Sequence, residues 1–480
     1  MTKKFQIILN KYTSMSNVAK ATFWFFACNI LTKCISLITT PIFTRLLSTE
    51  QFGIYNTFVS WTQVATIIVT LRLDYGIFNK GMTKYSEDKN NYAATMQTIT
   101  SLLTVRLFLF YLPFRNYINA LTGLTTFISI ALFVEVFFAS AISYWMVKQR
   151  YEFKYKSVVA VSLSMSICHM VIGIVGVLLT NHQAVGRILS SVLVYICFGL
   201  IIYLYNFKKA NKLFVKEYAK FAILFVIPLL PHYFASYVLD QFDRIMIMKM
   251  VGYSAVGIYS VAYSCGYVIK IVTSSLNNTL IPWLYQQLKE SNLRAISECL
   301  NSIIHTVLLC FMGFMAFAPE LIRIFASPEY YEAVYVLPPV SASAFLIFLY
   351  ELHANIEFYY DKNKFTMYIA IASAAMNVVL NYLCIPQFGY LAAAYTTLVS
   401  YCFYSISHYF YMRYVVKKET NQILITTGTF CKNMSIILVY TLLINFTFEH
   451  LWIRYTWILL LVLYIVIRRK KLLHFLSVLK

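Results

Sequence analysis

The feature that most constrains this chain is its series of long apolar runs. Examples are FWFFACNILTKCISLITTPIF from Phe23, SVVAVSLSMSICHMVIGIVGVLL from Ser157 and WILLLVLYIVI from Trp457. Such runs approach the roughly 20 residues that a helix needs to cross a hydrocarbon layer about 30 Å thick. The whole chain is 60% hydrophobic and only 12% charged, whereas a soluble protein holds roughly 25% charged residues. The sequence therefore predicts a polytopic membrane protein.

Reading these runs along the whole chain gives fourteen candidate spans. No segment alternates strongly between apolar and polar residues, so the spans are expected to be helices. The predicted fold class is an all-α membrane protein with about 14 transmembrane helices. The spans centre near residues 33, 62, 103, 133, 169, 196, 230, 265, 308, 344, 375, 400, 435 and 460.

The basic charge of the chain follows the predicted topology. The net charge is +21, from 40 Lys and Arg against 19 Asp and Glu. Of the 40 basic residues, 29 fall in the N-terminus, the C-terminus and the loops after even-numbered spans. Only 7, Arg187 among them, fall in the other loops, which are the predicted outer loops. Basic loops stay in the cytoplasm, so both termini are predicted to be cytoplasmic, and no cleavable signal peptide is expected. Because topology accounts for the charge, a nucleic-acid partner is not predicted.

A short phrase occurs twice in the sequence at an offset of 204 residues. FGIYNTFVS begins at Phe52, and VGIYSVAYS begins at Val256. A second echo places Gly389, in QFGYLAAAYTTLVSY, 203 residues after Gly186, in AVGRILSSVLVYI. Matches at one period indicate an internal duplication. We interpret the glycine of the first phrase as a tight turn before a helix, and its tyrosine as an anchor at the membrane interface.

The duplication predicts two lobes of six helices each. Because each lobe holds an even number of spans, the two repeats are parallel and related by an axis along the membrane normal. This architecture is typical of transporters that expose a midplane cavity to each side in turn. The predicted domains are an N-terminal lobe at residues 1–210, a C-terminal lobe at 211–416 and two additional transmembrane helices at 417–480.

Three basic residues inside the spans are candidates for binding an anionic substrate. An ionisable group at the bilayer centre costs about 2.5–3.5 kcal/mol on insertion scales, so it usually faces a cavity or a partner. The candidates are Lys33 in span 1, Arg106 in span 3 and Lys270 in span 8. The structural alternatives are an ion pair between Lys33 and Glu135, and snorkelling of Arg106 and Lys270 to the interface.

A second group of ionisable residues consists of candidates for ion coupling or gating. His232 follows two prolines, Pro228 and Pro231, that should bend span 7. The alternatives are a hydrogen-bonded core histidine for His232, and a local ion pair or outer gate latch for Asp243 and Arg244. The group consists of Glu135, His232, Asp240, Asp243, Arg244 and Glu351.

Motifs for nucleotide, metal or covalent chemistry are missing from the sequence. GIFNKGMT, from Gly76, approaches the phosphate-binding pattern GxxxxGK[ST], but Met82 stands in place of the lysine. The ten cysteines lie in or beside spans without metal-ligand spacing, and the predicted outer loops are short. We therefore expect no cofactor, no metal and no enzymatic activity, with transport driven by an ion gradient or by substrate turnover.

Several segments together resemble the Wzx-type oligosaccharide flippases of the multidrug/oligosaccharidyl-lipid/polysaccharide (MOP) exporter superfamily. They are TTPIFTRLLSTEQFGIYNTFVSW, LRLDYGIFNKGMTKY, QRYEFKYK, IPLLPHYFASYVLDQFDRIMIMKMVGYSAVGIYSVAY, NNTLIPW and AAMNVVLNYLCIPQFGYLAAAYTTLVSY, within residues 20–415. One departure is Ala392, where such proteins often have a second glycine.

The resemblance implies a flippase in the bacterial cytoplasmic (inner) membrane. Its substrate would be a polyprenyl-diphosphate-linked oligosaccharide for capsule or O-antigen synthesis, and a polysaccharide polymerase could act beside it. A headgroup carrying diphosphate cannot cross hydrocarbon unaided, so it needs a wet, cationic cavity that opens sideways to the lipid. The alternatives are a drug/cation antiporter of the same fold and, less favoured, a polysaccharide polymerase.

Overall fold

A computed structural model describes residues 14–362, 364–472 and 475. Each of the fourteen predicted spans falls in one long helix, and no strand occurs among these residues, so the all-α membrane fold is confirmed. The two chain ends, predicted to be cytoplasmic, lie outside the described residues. The long helices are α1 (Asn17–Leu46), α2 (Thr49–Thr70), α3 (Lys89–Thr122), α4 (Thr126–Tyr151), α5 (Tyr155–Leu179), α6 (Gln183–Lys208), α7 (Lys216–Met250), α8 (Tyr253–Lys289), α9 (Leu293–Ala316), α10 (Ala333–Tyr359), α11 (Lys364–Phe388), α12 (Tyr390–Thr420), α13 (Thr427–Ile444) and α14 (Leu451–Leu472).

Twelve of these helices are long and apolar enough to cross a membrane, which makes the chain a multi-pass membrane protein. The other two long helices in the described part of the chain, α2 and α12, carry more polar residues. Short helices at Gly76–Lys84 and Ala318–Phe325 lie in the connections. Side-chain caps begin several long helices; Thr125, for example, accepts a hydrogen bond from the backbone NH of Ile128 at α4.

Helix α7 is irregular, as its two prolines predict. It consists of Lys216–Val226, a 3₁₀ turn at Ile227–Leu229, a short helix at Leu230–Tyr237, a π-helical turn at Val238–Phe242 and a last segment at Asp243–Met250. A π turn inserts an extra residue into the helix and is frequent at functional sites. Here it lies directly before Asp243.

The chain divides into two compact units. The first comprises the residues up to Leu47 and Ile54–Phe234, and the second comprises Ser48–Gly53 and Ala235–Lys480. In the first unit, α6 packs against α4 and α5, and α1 packs against α5. In the second, α10 packs against α8 and α12, while α9 contacts α13 and α14. The predicted duplication, with boundaries at residues 210 and 416, stays a prediction.

The two copies of the repeated phrase lie where α2 and α8 cross, so our interpretation of its glycine as a turn was wrong. Gly53 and Gly257 are each the fifth residue of their helices, α2 and α8, and both belong to the second unit. A Cβ atom on Gly53 would lie 1.8 Å from the carbonyl oxygen of Tyr253, and one on Gly257 would lie 2.1 Å from that of Thr49. Glycine is needed at both positions because the two backbones touch.

The tyrosines of the phrase are not interface anchors either. Tyr259 is fully buried and donates its hydroxyl to the carboxylate of Asp243. Tyr55, in the first unit, stacks against the guanidinium of Arg187, whose Cζ lies 4.9 Å from the ring centroid. Both tyrosines therefore hold a buried charged group in place.

Candidate functional site

A buried carboxylate forms the centre of the candidate site in the second unit. Asp243 follows the π turn of α7 and has no exposed surface. One of its oxygens accepts hydrogen bonds from the hydroxyls of Tyr259, at 2.6 Å, and Thr397, at 2.8 Å. The other accepts one from the amide of Asn381, at 2.7 Å. The three closest donors, on α8, α11 and α12, therefore converge on one carboxylate, which compensates for its removal from water.

The residues around Asp243 add further oxygen atoms. Asn381 also donates to the amide oxygen of Asn377, at 3.2 Å, and accepts a hydrogen bond from the hydroxyl of Thr396. Asn377 donates to the hydroxyl oxygen of Thr397, at 3.1 Å. We call the five residues Asp243, Asn377, Asn381, Thr396 and Thr397 the Asp243 cluster. Carboxylate, amide and hydroxyl oxygens are the ligands of hard cations.

Arg244 does not direct its guanidinium to the neighbouring carboxylate. It donates to the side-chain oxygen of Gln241, at 2.8 Å, and to the hydroxyl of Ser260, at 3.3 Å. Its Cζ also lies 4.6 Å from the ring centroid of Tyr263. The local ion pair considered from the sequence is therefore replaced by hydrogen bonds and stacking.

Three more of the predicted site residues come together beside this cluster. Lys270 forms an ion pair with Asp240 at 3.6 Å, and the hydroxyl of Tyr401 donates to Asp240 at 3.1 Å. Glu351 accepts a hydrogen bond from the amide of Asn277, at 3.3 Å. The side chains of Lys270 and Asp240 are 37% and 48% exposed, so a ligand could reach both. The second unit thus gathers Asp240, Asp243, Arg244, Lys270 and Glu351.

The remaining predicted residues belong to the first unit and lie on different helices. Lys33 is half-buried on α1, Arg106 is exposed on α3, and His232 is half-buried on α7. Glu135 is buried on α4, with Ser191 and Arg187 of α6 beside it. The structure therefore does not gather these four into one cluster comparable to that of the second unit.

Arg187 is a buried charge that the sequence analysis assigned to an outer loop. It lies in the second turn of α6, is 7% exposed, and its Cζ is 4.2 Å from the ring centroid of Phe43. It donates to the backbone oxygen of His169, at 3.1 Å. Its sequence context, AVGRILSS, offers only the preceding glycine as a signal. A Cβ on that glycine, Gly186, would overlap α5, so the helices approach closely enough to enclose the arginine.

The second unit also carries two adjacent cavities that sequence reasoning missed, both formed by α9, α13 and α14. One, of about 880 Å³, is lined mostly by apolar side chains, among them Met312, Val439 and Leu460. The other, of about 530 Å³, is lined by the cations Lys432 and Arg468, by the carboxylate of Glu298 and by several other polar groups. On each helix the polar cavity uses the residues nearer the end predicted to be cytoplasmic. We call the two cavities together the α9–α13–α14 groove.

Hydrogen bonds fix α14 against the rest of this groove. The indole of Trp457 donates to the hydroxyl of Tyr440, at 3.1 Å, and Tyr440 donates to the backbone oxygen of Met312, at 3.0 Å. Arg454, which is 1% exposed, pairs with Glu320. The last two helices are therefore an integral part of the second unit.

Comparisons with known proteins give the family of the chain and several similar proteins. A family model described as "Polysaccharide biosynthesis protein" matches residues 18–288, and the MatE model matches residues 228–383. "Lsg locus putative protein 1" of Haemophilus influenzae is 23% identical over 212 residues, which is 42% of this chain and 51% of that protein. "Probable low-salt glycan biosynthesis flippase Agl15" of Haloferax volcanii is 23% identical over 211 residues, 43% of each chain. These matches span about half the length of the curated relatives.

Solved structures show the same fold at low sequence identity. The lipid II flippase MurJ, in an inward closed conformation, superposes with a TM-score of 0.69 at 14% identity, over 95% of this chain and 98% of MurJ. An inward-facing MATE-family multidrug resistance transporter of the MOP superfamily gives 0.61 at 13% identity, over 81% and 96%. With more than half of the chain matched by the family model, the resemblance found in the sequence is confirmed: the chain belongs to the polysaccharide biosynthesis protein family, and it shares its fold with the MurJ flippase and the MATE-family transporter.

Proposed function

We propose that this protein is a flippase that moves a polyprenyl-diphosphate-linked oligosaccharide across the membrane by alternating access. Membership of the polysaccharide biosynthesis family supports a glycan substrate. The observation that carries the proposal is the α9–α13–α14 groove. Its apolar cavity could hold a lipid tail, and the basic side chains of its polar cavity could bind an anionic headgroup.

The groove is apolar over most of its length, and its polar end carries two basic side chains and Glu298, whose carboxylate already pairs with Arg294. Pockets of roughly 300–1,000 Å³ suit small molecules, and its apolar cavity of about 880 Å³ is in that range. An isoprenoid chain would bury its surface against Val439 and Leu460, while Lys432 and Arg468 would attract a phosphate at the polar end. The sequence analysis predicted a cavity that opens sideways to the lipid, and the groove would give the lipid tail a defined path.

The diphosphate is proposed to contact Lys33, Arg106 and Lys270 during translocation. A sugar headgroup with two phosphates loses its hydration on leaving water, and basic side chains can replace part of it. The ion pair between Lys270 and Asp240 would open as phosphate replaces the carboxylate. These assignments rest on the position of the three bases within membrane helices.

Ion-gradient coupling is proposed for the Asp243 cluster. Rotation of the O–H bonds of Tyr259 and Thr397 away from the carboxylate of Asp243 would free lone pairs on all of these oxygens for a monovalent cation such as Na⁺. The co-transported ion would then be a second substrate and not a resident cofactor. Glu135, His232, Asp240, Arg244 and Glu351 stay candidates for gating or for balancing the charge of the basic residues.

The cellular setting is proposed from the charge distribution and the resemblance. Both termini would be cytoplasmic and the membrane would be the bacterial inner membrane. The product would feed capsule or O-antigen synthesis, with a polysaccharide polymerase as a neighbouring protein. We assign no enzymatic reaction to the chain itself.

The alternative is a drug/cation antiporter of the same fold. The MatE match covers residues 228–383, which include Asp240, Asp243 and Glu351, and a cluster of acids would suit a cationic substrate. The cationic end of the α9–α13–α14 groove favours the flippase instead.

The test is transport by the purified protein in liposomes. A labelled undecaprenyl-diphosphate oligosaccharide is added, and its accessibility to an external, membrane-impermeant enzyme is followed over time. Faster exchange between leaflets than in empty liposomes is the expected result. If the lipid stays in its leaflet while a cationic dye crosses, the substrate assignment is wrong and the antiporter takes its place.

A further inference from the structure

A buried pair formed by a carboxylate and an imidazole lies outside the Asp243 cluster. Glu357 of α10 and His408 of α12 both have fully buried side chains. The Nδ1 atom of His408 is 2.9 Å and 3.0 Å from the two carboxylate oxygens of Glu357. Glu357 is two residues before the end of α10 at Tyr359, about 3 Å along the helix axis. The pair is therefore dry, yet close to the end of α10 that is predicted to face the cytoplasm.

The imidazoles at this place have unused hydrogen-bonding atoms. The Nε2 atom of His408 and both ring nitrogens of His353 are buried without a hydrogen-bond partner. His353 is fully buried and lies one turn before Glu357 on α10. Buried polar atoms nearly always have a partner, and exceptions call for an explanation. Three such nitrogens therefore lie on the pair or one helical turn from it, with capacity for hydrogen bonding that the surrounding side chains do not use.

Aromatic and apolar side chains surround the pair. The ring of His408 is 4.8 Å from that of Tyr404 and 5.7 Å from that of Phe365, and the ring of His353 is 5.8 Å from that of Phe430. The titratable groups facing the pair from its own helices are Tyr350 and His353 on α10 and Tyr404, Tyr409 and Tyr411 on α12. Of the other packed helices, α11 presents Phe365 to the ring of His408, and α13 presents Phe430 to the ring of His353. Asn277 of α8 accepts a hydrogen bond from Asn355, two residues before Glu357 on α10, and the buried side chains of α9 include no Asp, Glu, Lys, Arg or His.

A line of polar residues on α12 connects this pair with the Asp243 cluster. Thr397, Tyr401, Tyr404 and His408 follow one another at spacings of three or four residues, so they share one face of the helix. Thr397 donates to Asp243, and Tyr401 donates to Asp240. The rings of Tyr401 and Tyr404 are 6.5 Å apart. This line covers about 16 Å of helix, a large part of the membrane thickness.

We propose that Glu357 and His408 form a proton-binding site that exchanges its proton with the cytoplasm during the transport cycle. With one shared proton on the carboxylate and Nδ1, in addition to the Nε2 proton of the neutral ring, the pair carries no net charge. Loss of that proton leaves a carboxylate beside a neutral imidazole, a net negative charge that is unfavourable in a dry site. Release therefore requires that water reaches the pair, which links protonation to a change of conformation.

A titration tests proton binding without any substrate. Purified protein is titrated in weak buffer between about pH 5 and pH 8, where histidines change charge, and compared with the variants E357Q and H408Q. Binding of one proton fewer by each variant than by the wild type supports the site, and equal proton uptake by all three proteins overturns it. H182Q is the control, because His182 is an exposed histidine in the loop before α6 and its replacement leaves the buried pair intact. If E357Q does not fold, H408Q decides, with E357D as the conservative variant that should retain proton binding.

A second measurement tests the role in transport, and this part of the inference rests on the proposed function. In liposomes with equal pH on both sides, E357Q and H408Q should exchange the labelled lipid-linked oligosaccharide between leaflets. Under a pH gradient the wild type should accumulate it on one side, whereas the two variants should not. Gradient-driven accumulation by either variant at the wild-type level overturns the proposal. Absence of exchange by the wild type refutes the flippase function instead, and the titration still decides on the proton site.

Discussion

The crossing of α2 and α8 gives a quantitative prediction for the variant Gly53→Ala. The added Cβ would lie 1.8 Å from the carbonyl oxygen of Tyr253, and real Cβ contacts essentially never fall below 3.0 Å. The two backbones must therefore separate by at least 1.2 Å at this point. A backbone carbonyl within a helix cannot rotate away, so relaxation has to move a helix.

The expected destabilisation combines two opposing effects. Overpacking a well-packed contact costs typically 1–3 kcal/mol, and the rigid carbonyl puts this substitution at about 3 kcal/mol. Alanine in a helix is more favourable than glycine by about 1 kcal/mol. The net loss in the free energy of unfolding should thus be about 2 kcal/mol. Gly257→Ala introduces a steric clash at the same crossing, because its Cβ would be 2.1 Å from the carbonyl oxygen of Thr49.

The assay is thermal unfolding of the purified variants in one detergent. Gly428→Ala is the matched control, since Gly428 lies in α13 with nothing within 4 Å of the added Cβ. That control should unfold at the wild-type temperature or above it, and Gly53→Ala should unfold several degrees lower. The double variant Gly53→Ala/Gly257→Ala should lose less than the sum of the single losses, because one separation of the helices relieves both contacts. A Gly53→Ala protein as stable as the control would refute the close crossing.

Three other substitutions test the functional proposals. When the Na⁺ concentration is about 100 times its Kd, NaCl should stabilise the wild-type protein by about 2.7 kcal/mol relative to choline chloride. Asp243→Asn should remove this stabilisation, and equal stabilisation of variant and wild type would exclude Asp243 as a cation ligand. Lys33→Ala should insert normally but lower transport about 10- to 100-fold, the value of one charge-assisted hydrogen bond; normal transport by a well-expressed variant would make Lys33 structural. Val439→Trp should fill the apolar cavity and slow exchange of the lipid-linked oligosaccharide, whereas Leu442→Trp, exposed on the same helix outside that cavity, should not. Equal rates for the two tryptophan variants would remove the groove from the transport path.

The sequence was sufficient to predict the helices because membrane spans are defined locally. Each of the fourteen predicted centres lies within one long helix. The reason is that a spanning helix needs an apolar run long enough to cross the hydrocarbon layer, and such a run is visible in the sequence. The prolines of α7 likewise predicted an irregular helix, because proline removes a backbone donor wherever it occurs. Contacts between residues that are far apart in the chain leave no such local signal in the sequence.

The site was predicted only in part because burial depends on the partner of each helix. Asp243 was selected as an acid inside a span, but its three donors come from residues 16, 138 and 154 positions away. Arg187 was assigned to a loop because it lies close to the start of α6, although α5 and Phe43 enclose it. The glycine of the repeated phrase was misread for the same reason, since a backbone crossing involves a second helix that the phrase does not contain.

The low hydropathy of α12, compared with most of the other spans, was itself a signal of polar contacts inside the protein. A helix in contact with lipid gains nothing from threonine, tyrosine or histidine, so such residues at one helical spacing should face other protein groups. On α12 the residues that reduce its hydropathy include Thr397, Tyr401 and His408, which contact Asp243, Asp240 and Glu357 in turn. The search for charges at mid-span overlooked His408 and Glu357, because Glu357 lies at the end of α10 and its partner is 51 residues away. In this chain, a search for buried polar contacts should therefore begin at α12.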